Sequence, residues 1–166
     1  RMFAYNSVFN QDISSWNVSS VANMFGLFEQ ATAFNQDINT WDVSSVTNMN
    51  SMFAHTTFSG SSVFNGDIDS WDVSSVTDMS LMFYNANSFN QDISTWNVSG
   101  VSNMSSMFAF ASSFSQDLNS WNVSSVIDMN SMFSRATVFD GNISSWDVSN
   151  VTTMQGMFYI ASNFNQ

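Results

Sequence analysis

Tryptophan recurs along the chain at nearly regular intervals, and this period limits the fold more than any other feature of the sequence. Successive tryptophans lie 25 residues apart except for one interval of 30, at positions 16, 41, 71, 96, 121 and 146. A period of this length is typical of stacked repeat architectures. We therefore predict a single solenoid domain over residues 1–166, made of six 25-residue repeats and a partial one, with a five-residue insertion within 54–64. We also expect the chain to be a fragment of a longer array.

Each repeat contains two different apolar patterns. Residues 15–19 alternate polar and apolar side chains around Trp16 and Val18, which predicts a short strand. The next apolar side chains follow the spacing of a helix of two to three turns or of a 3₁₀ segment, at Met24, Leu27, Phe28, Ala31 and Phe34. The residue before this stripe is Asn, Asp or Thr in every repeat, and each of these types is a suitable helix N-cap.

A unit of one strand and one short helix cannot bury its apolar side alone, so the repeats must stack. The sequence therefore predicts an α/β repeat solenoid with a parallel sheet. Helices need about 10 Å between their axes whereas strands need about 4.8 Å, so the strands should line the concave face. The short helices or 3₁₀ segments should then lie on the convex face.

The composition excludes several classes of function. Only 9% of residues are charged and the net charge is -11, with 33 Ser and 21 Asn supplying most of the polar surface. Nucleic acid and acidic lipid would be repelled, and we expect no membrane insertion within this segment. The chain has no Cys and one His, which removes most catalytic chemistry. We therefore predict that it is not an enzyme.

The repeat resembles that of the BspA-like leucine-rich-repeat surface proteins. The matching positions are Ile13, Trp16, Val18, Val21, Met24, Leu27, Phe28, Ala31 and Phe34. Residues 34–49 are closer still to the mycoplasma-type branch, whose 25-residue units resemble "FNQDISxWDVSxVTNMxxMF". The resemblance implies a leucine-rich-repeat-like right-handed coil. It also implies an extracellular or cell-surface protein used for attachment or recognition.

One polar column follows the tryptophans and is expected to point out of the concave sheet. We predict that it forms a hydrogen-bonding surface for a protein or glycan partner, made of Asn17, Asp42, Asp72, Asn97, Asn122 and Asp147 together with Ser44, Ser74 and Ser99. The alternative is a merely solvated face, because a strand buried on one side is normally polar on the other.

A second column consists of aspartates just before each predicted strand, namely Asp12, Asp37, Asp67, Asp92 and Asp117. Two hypotheses stay open for this aspartate ladder. Each carboxylate could accept hydrogen bonds from nearby N–H groups in an Asx-type turn. Alternatively, the ladder could bind Ca²⁺, whose ligands are hard oxygens, and calcium is the one cofactor that the sequence suggests.

Two further features have alternative explanations. Six asparagines begin the Asn-x-Ser/Thr acceptor pattern of N-glycosylation, although such matches also arise by chance in an Asn- and Ser-rich repeat: Asn17, Asn97, Asn103, Asn122, Asn142 and Asn150. The single histidine, His55, lies in the insertion. It has no orienting carboxylate nearby in sequence, so we predict an exposed loop residue without a catalytic role.

The sequence thus predicts a non-enzymatic cell-surface or secreted module for adhesion to, or recognition of, a protein or glycan on another surface. The alternative is a structural tile of an extracellular filament, appendage or surface layer. In that case the partners are neighbouring copies of the same protein.

Overall fold

The computed structural model describes residues 1–57 and 59–166. In this part of the chain there is no helix, and strand-type pairing is limited to isolated parallel bridges. The predicted α/β solenoid, with strands on a concave face and helices or 3₁₀ segments on a convex face, is therefore wrong. The bridges join equivalent residues of successive repeats, which stack as layers through Asn23, Asn48, Asp78, Asn103, Asp128 and Thr153.

Each layer is built from four-residue turns. The N–H of the fourth residue donates to the C=O of the first, as in the turns 38–41 (3.0 Å), 43–46 (2.8 Å) and 49–52 (3.1 Å). The first and last residues of these turns are apolar and buried, and the two residues between them are polar. The apolar-x-x-apolar spacing of the sequence therefore arises from successive turns, each with a buried apolar residue at both ends.

Left-handed residues explain why the helix prediction fails. Gly26 and Gln30 both have φ of 56°, and equivalent residues of later repeats share this conformation. A left-handed residue reorients its peptide groups, so α-helical hydrogen bonding cannot continue through it. The spacing i, i+3, i+4, i+7 instead comes from the ends of two adjacent turns, 24–27 and 28–31. Helix and turn series would bury nearly the same side chains.

The backbone polar groups of each layer pair with the next layer. The N–H groups of residues 24, 26, 28 and 30 donate to C=O groups of the following repeat at 2.8 to 2.9 Å. The left-handed residues Gly26 and Gln30 are among these donors. A non-glycine residue in this conformation costs about 1–2 kcal/mol, and a net contribution of about 0.5–1.5 kcal/mol from each interlayer hydrogen bond offsets that cost.

The strand predicted at 15–19 spans the end of one turn and the start of the next. Trp16 closes the turn 13–16 and Val18 opens the turn 18–21. A single polar residue separates the two turns, so polar and apolar side chains alternate here as they would in a strand. The tryptophans of the inner repeats point into the core, and their side chains are 3–4% exposed: Trp41, Trp71, Trp96 and Trp121.

Stacked rings fill the core. Within one layer the rings of Phe83 and Phe89 lie 3.8 Å apart between centroids, and from layer to layer Phe83 stacks on Phe108 at 5.6 Å. The indole N–H of Trp96 donates to the C=O of Ile68 in the preceding repeat at 3.1 Å, and the other inner tryptophans make the equivalent bond. Tryptophan therefore packs within the core and also joins two layers.

Candidate interaction surface

The polar columns on the surface arise from the way the turns begin. The residue before a turn is usually Asn or Asp, and its side-chain oxygen accepts the N–H two residues later. Asp12 accepts from Ser14 at 2.9 Å, Asn17 from Ser19 at 3.1 Å, and Asn23 accepts the N–H of Phe25 at 2.9 Å. These Asx side chains replace the helix caps expected from the sequence.

The Asn and Asp side chains of the predicted binding column are exposed, whereas Ser44 and Ser99 are half-buried, and no sheet lies behind the column in the described residues. Its members accept the N–H of a serine two residues later at 3.0 to 3.2 Å. The hydroxyl groups of Ser44 and Ser99 also donate to Asp42 and Asn97, at 2.6 and 2.7 Å. The column is thus a row of turn caps that faces solvent, and partner binding by it stays a prediction.

A groove of about 630 Å³ opens beside this column in the central repeats. It brings together Asn97 and Asn122, which the sequence analysis selected, and Ser94, which it did not. The interlayer contact between Ser120 Oγ and the C=O of Ser94, at 2.6 Å, places Ser94 there. This contact could not be predicted from the sequence, because it depends on how the turns of successive repeats align. The groove is lined by Ser94, Thr95, Trp96, Asn97, Val98, Ser120 and Asn122.

Hydrogen bonding keeps the carboxylates of the column ionised. The hydroxyl and backbone N–H groups of the neighbouring serines lower the pKa of Asp42, Asp72 and Asp147. The charge of Asp42 acts in the opposite sense on Asp72, as the smallest of the contributions. These three carboxylates are therefore negatively charged at neutral pH.

The aspartate ladder also lies in turns. Asp67, Asp92 and Asp117 accept the N–H two residues later at 2.8 to 3.1 Å, whereas Asp37 accepts the N–H of Asp67 in the next repeat at 2.9 Å. Backbone hydrogen bonding is the first cause that lowers the pKa of Asp12 and Asp92. Residues 1–57 and 59–166 contain no group of three or more His, Cys, Asp or Glu that could hold a metal ion. Calcium binding by the ladder stays a hypothesis.

The candidate glycosylation positions differ in accessibility. Asn17, Asn97, Asn122 and Asn150 are exposed, whereas Asn103 and Asn142 are half-buried. The side-chain nitrogen of Asn150 donates to the C=O of Ser124 at 2.8 Å, and this is the atom that would carry a glycan. Modification at these positions stays a prediction.

His55 is buried, with 3% of its surface exposed, so the prediction of an exposed loop histidine is wrong. Thr57 and Gly60 of the insertion lie close to its ring. Its Nδ1 lies 3.1 Å from the C=O of Thr57, and the Asn85 amide donates to the C=O of Gly60 at 3.0 Å. The backbone hydrogen bonds to the following repeat continue on both sides of the insertion, from His55 N–H to the C=O of Tyr84 at 2.8 Å and from Ser62 N–H to the C=O of Asn85 at 3.1 Å.

Asx-capped turns, interlayer backbone hydrogen bonds and a core of stacked rings define this chain as a turn-built tandem-repeat protein. It belongs to the family described as "Mycoplasma protein of unknown function, DUF285", which matches residues 1–58 and 54–166. No curated protein is significantly similar to the chain. Within the part of the chain that the structure describes, no helix has the length and apolarity needed to cross a membrane.

Proposed function

We propose that the chain is a non-enzymatic recognition module that binds a protein or glycan on another surface through the groove at Asn97 and Asn122. The observation that carries this proposal is the groove itself, about 630 Å³ in volume, in which five of the seven lining residues carry an amide or hydroxyl group beside apolar surface. Such groups both donate and accept hydrogen bonds, as recognition of a polar partner requires.

The groove is also held in a fixed shape. The Thr95 hydroxyl donates to the C=O of Asp69 at 3.2 Å, and Asn97 and Asn122 each cap a turn. Side chains that are already ordered lose little conformational entropy when a partner binds. The groove therefore suits a partner that approaches a preformed surface.

An extracellular or cell-surface location is part of the proposal. The resemblance to the mycoplasma-type branch of the BspA-like surface proteins supports it, as does a surface that relies on Ser and Asn more than on charge. The excess of acidic residues favours partners that are neutral or basic overall.

A matched pair of substitutions tests the groove. Asp occupies the same column at Asp42 and Asp72, so Asn97→Asp combined with Asn122→Asp retains the turn caps while adding two negative charges to the groove. The labelled chain is applied to arrays of glycans and of secreted and cell-surface proteins. We expect specific binding that the double variant loses.

The control is Asn17→Asp, which makes the same change in the same column outside the groove. It should bind like the wild-type chain. Equal binding by the wild-type chain and the groove variant would contradict the assignment of the groove. Failure of the chain to bind any array component would contradict the recognition function itself.

The alternative function is a structural tile, and the propagating hydrogen-bond pattern favours it. Each layer donates backbone N–H groups to the next with the same geometry, so copies could extend the stack. Light scattering and negative-stain microscopy distinguish the two functions. Single chains at all concentrations would support the recognition module, whereas long filaments that are unaffected by the groove variant would support the tile.

A further inference from the structure

Two adjacent positions change from repeat to repeat while most of their neighbours recur. We call them the variable pair. They hold all three tyrosines, the single histidine, the single glutamate and one of the two arginines of the chain. Along the chain the pairs are Ala4-Tyr5, Glu29-Gln30, Ala54-His55, Tyr84-Asn85, Ala109-Phe110, Ser134-Arg135 and Tyr159-Ile160.

The backbone at this pair is nearly the same in most repeats. The second residue is left-handed, with φ between 56° and 64°, at Tyr5, Gln30, Asn85, Phe110, Arg135 and Ile160. Gly or Asn adopts this conformation at lower cost than a bulky side chain. The fold therefore does not require Tyr, Phe, Arg or Ile here.

In the C-terminal half of the chain the variable pairs form a continuous cluster, the aromatic-arginine stripe, defined as Tyr84, Phe110, Arg135 and Tyr159. The guanidinium carbon of Arg135 lies 5.5 Å from the ring centroid of Phe110 and 5.6 Å from that of Tyr159. The rings of Tyr84 and Phe110 are 5.3 Å apart. Arg135 is exposed, and Tyr159 is 58% exposed.

The chemistry of the stripe differs from that of the Ser- and Asn-rich groove. Tyr and Arg are among the residue types enriched in the few positions that dominate the binding energy of protein interfaces. Arg135 makes no ion pair with any of the residues described, although the chain has a net charge of -11. Its guanidinium therefore retains donors for an external acceptor, and a carboxylate matches their planar geometry.

The arrangement of the rings favours a protein over a glycan. Sugars bind aromatic residues by lying on a ring face, but the guanidinium already lies over the rings of Phe110 and Tyr159. A carboxylate can instead approach the N–H edge of the guanidinium, with apolar side chains against the exposed part of Tyr159. Because the rest of the surface is acidic, a partner with an overall basic charge is favoured.

We propose that the aromatic-arginine stripe is a second interaction surface, separate from the groove. It binds a protein segment that places one Asp or Glu carboxylate against Arg135 and apolar side chains beside Tyr159. This inference rests on the proposed recognition function, to which it adds a location and a partner chemistry.

The test is a selection from a phage-displayed library of random 12-residue peptides on the immobilised full chain. We expect the enriched peptides to share an Asp or Glu next to an aromatic or aliphatic residue. Arg135→Ala should weaken their binding at least about fivefold, and replacing the shared carboxylate by its amide should weaken it equally. Arg135→Lys should also bind weakly, because Lys keeps the charge but loses the planar fork.

Gln30→Ala is the matched control, because Gln30 occupies the same left-handed position in another repeat, with φ of 56°. It should bind the peptides like the wild-type chain, and circular dichroism melting curves establish that all variants fold. Enriched peptides without a carboxylate, equal binding to the Arg135→Ala variant, or no enrichment would each overturn the proposal.

Two further outcomes separate this inference from the proposed function. Peptides that lose binding to the Asn97→Asp and Asn122→Asp variant but not to Arg135→Ala would overturn the stripe and leave the groove supported. Binding to acidic glycans that depends on Arg135, without peptide binding, would overturn the protein partner.

Discussion

Replacing Trp96 by alanine tests the core of stacked layers most directly. The side chain is 3% exposed, stacks on Trp71 at 6.3 Å, and donates its indole N–H to the C=O of Ile68 at 3.1 Å. A tryptophan buries about 150–250 Å², and at about 25 cal/mol per Å² this corresponds to about 4–6 kcal/mol. Because part of the space can collapse or admit water from the groove, we expect a loss of about 3–5 kcal/mol.

The loss should extend beyond one layer. Each repeat is held only by its neighbours, so a defect in a central layer uncouples the two halves of the stack. Urea titration followed by far-UV circular dichroism measures the free energy of unfolding and its cooperativity. We expect a lower midpoint and a broader or biphasic transition for Trp96→Ala.

Two companion variants make the result specific. Trp96→Phe retains an aromatic ring in the stack but loses the interlayer hydrogen bond, and should cost about 1–2 kcal/mol. Trp16, at 42% exposure, packs in an end layer, so Trp16→Ala should cost about 2 kcal/mol or less. A loss below about 1 kcal/mol for Trp96→Ala, or one no larger than that of Trp16→Ala, would refute the interlayer role of the central tryptophan.

Three other measurements address the turns and the carboxylates. Ser106 has φ of 56°, so Ser106→Gly should stabilise the fold by about 0.5 kcal/mol in urea titration, whereas the neighbouring change Ser105→Gly should destabilise it. The pKa values of Asp42 and Asp72 are lowered in the folded state. The two carboxylates therefore stabilise the fold at pH values above their unfolded-state pKa of about 3.9, and this stabilisation is lost as the pH falls through their lower folded-state pKa values. The variant Asp42→Asn with Asp72→Asn should therefore lose less stability on acidification below about pH 4, and an equal loss would contradict this reasoning. If the aspartate ladder binds calcium, the thermal unfolding midpoint should be higher in millimolar Ca²⁺ than in a chelator. Equal midpoints would mean that the aspartates only cap turns.

Much of the architecture could be predicted without knowing the backbone conformation. The spacing of tryptophans predicts repeated units, and the apolar spacing identifies side chains such as Trp96 and Phe108 that lie in the core. The exposed position of Asn97 and its neighbours in the column also follows from the sequence. These inferences hold because burial depends on which residues are apolar, in a turn as in a helix or strand.

The secondary structure could not be predicted in the same way. Met24, Leu27, Phe28 and Ala31 have a helical spacing, yet they are the first and last residues of two turns. Local propensity does not predict these turns, since glutamine rarely adopts the left-handed conformation that Gln30 has here. The buried position of His55 was missed for a related reason, because the path of the inserted residues depends on contacts with Asn85 in the following repeat.

The sequence by itself therefore determined the repeat period, the inward-facing side chains and the acidic, Ser- and Asn-rich surface, because each depends on residue type and spacing. The tertiary structure decided between helices and turns. A backbone N–H can pair within its own repeat or with the next one, and the second choice becomes favourable only when another layer supplies carbonyl groups at hydrogen-bonding distance, as residues 48–54 do for residues 24–30. The same stacking brings Phe110, Arg135 and Tyr159 together from three repeats, and no single repeat contains that cluster.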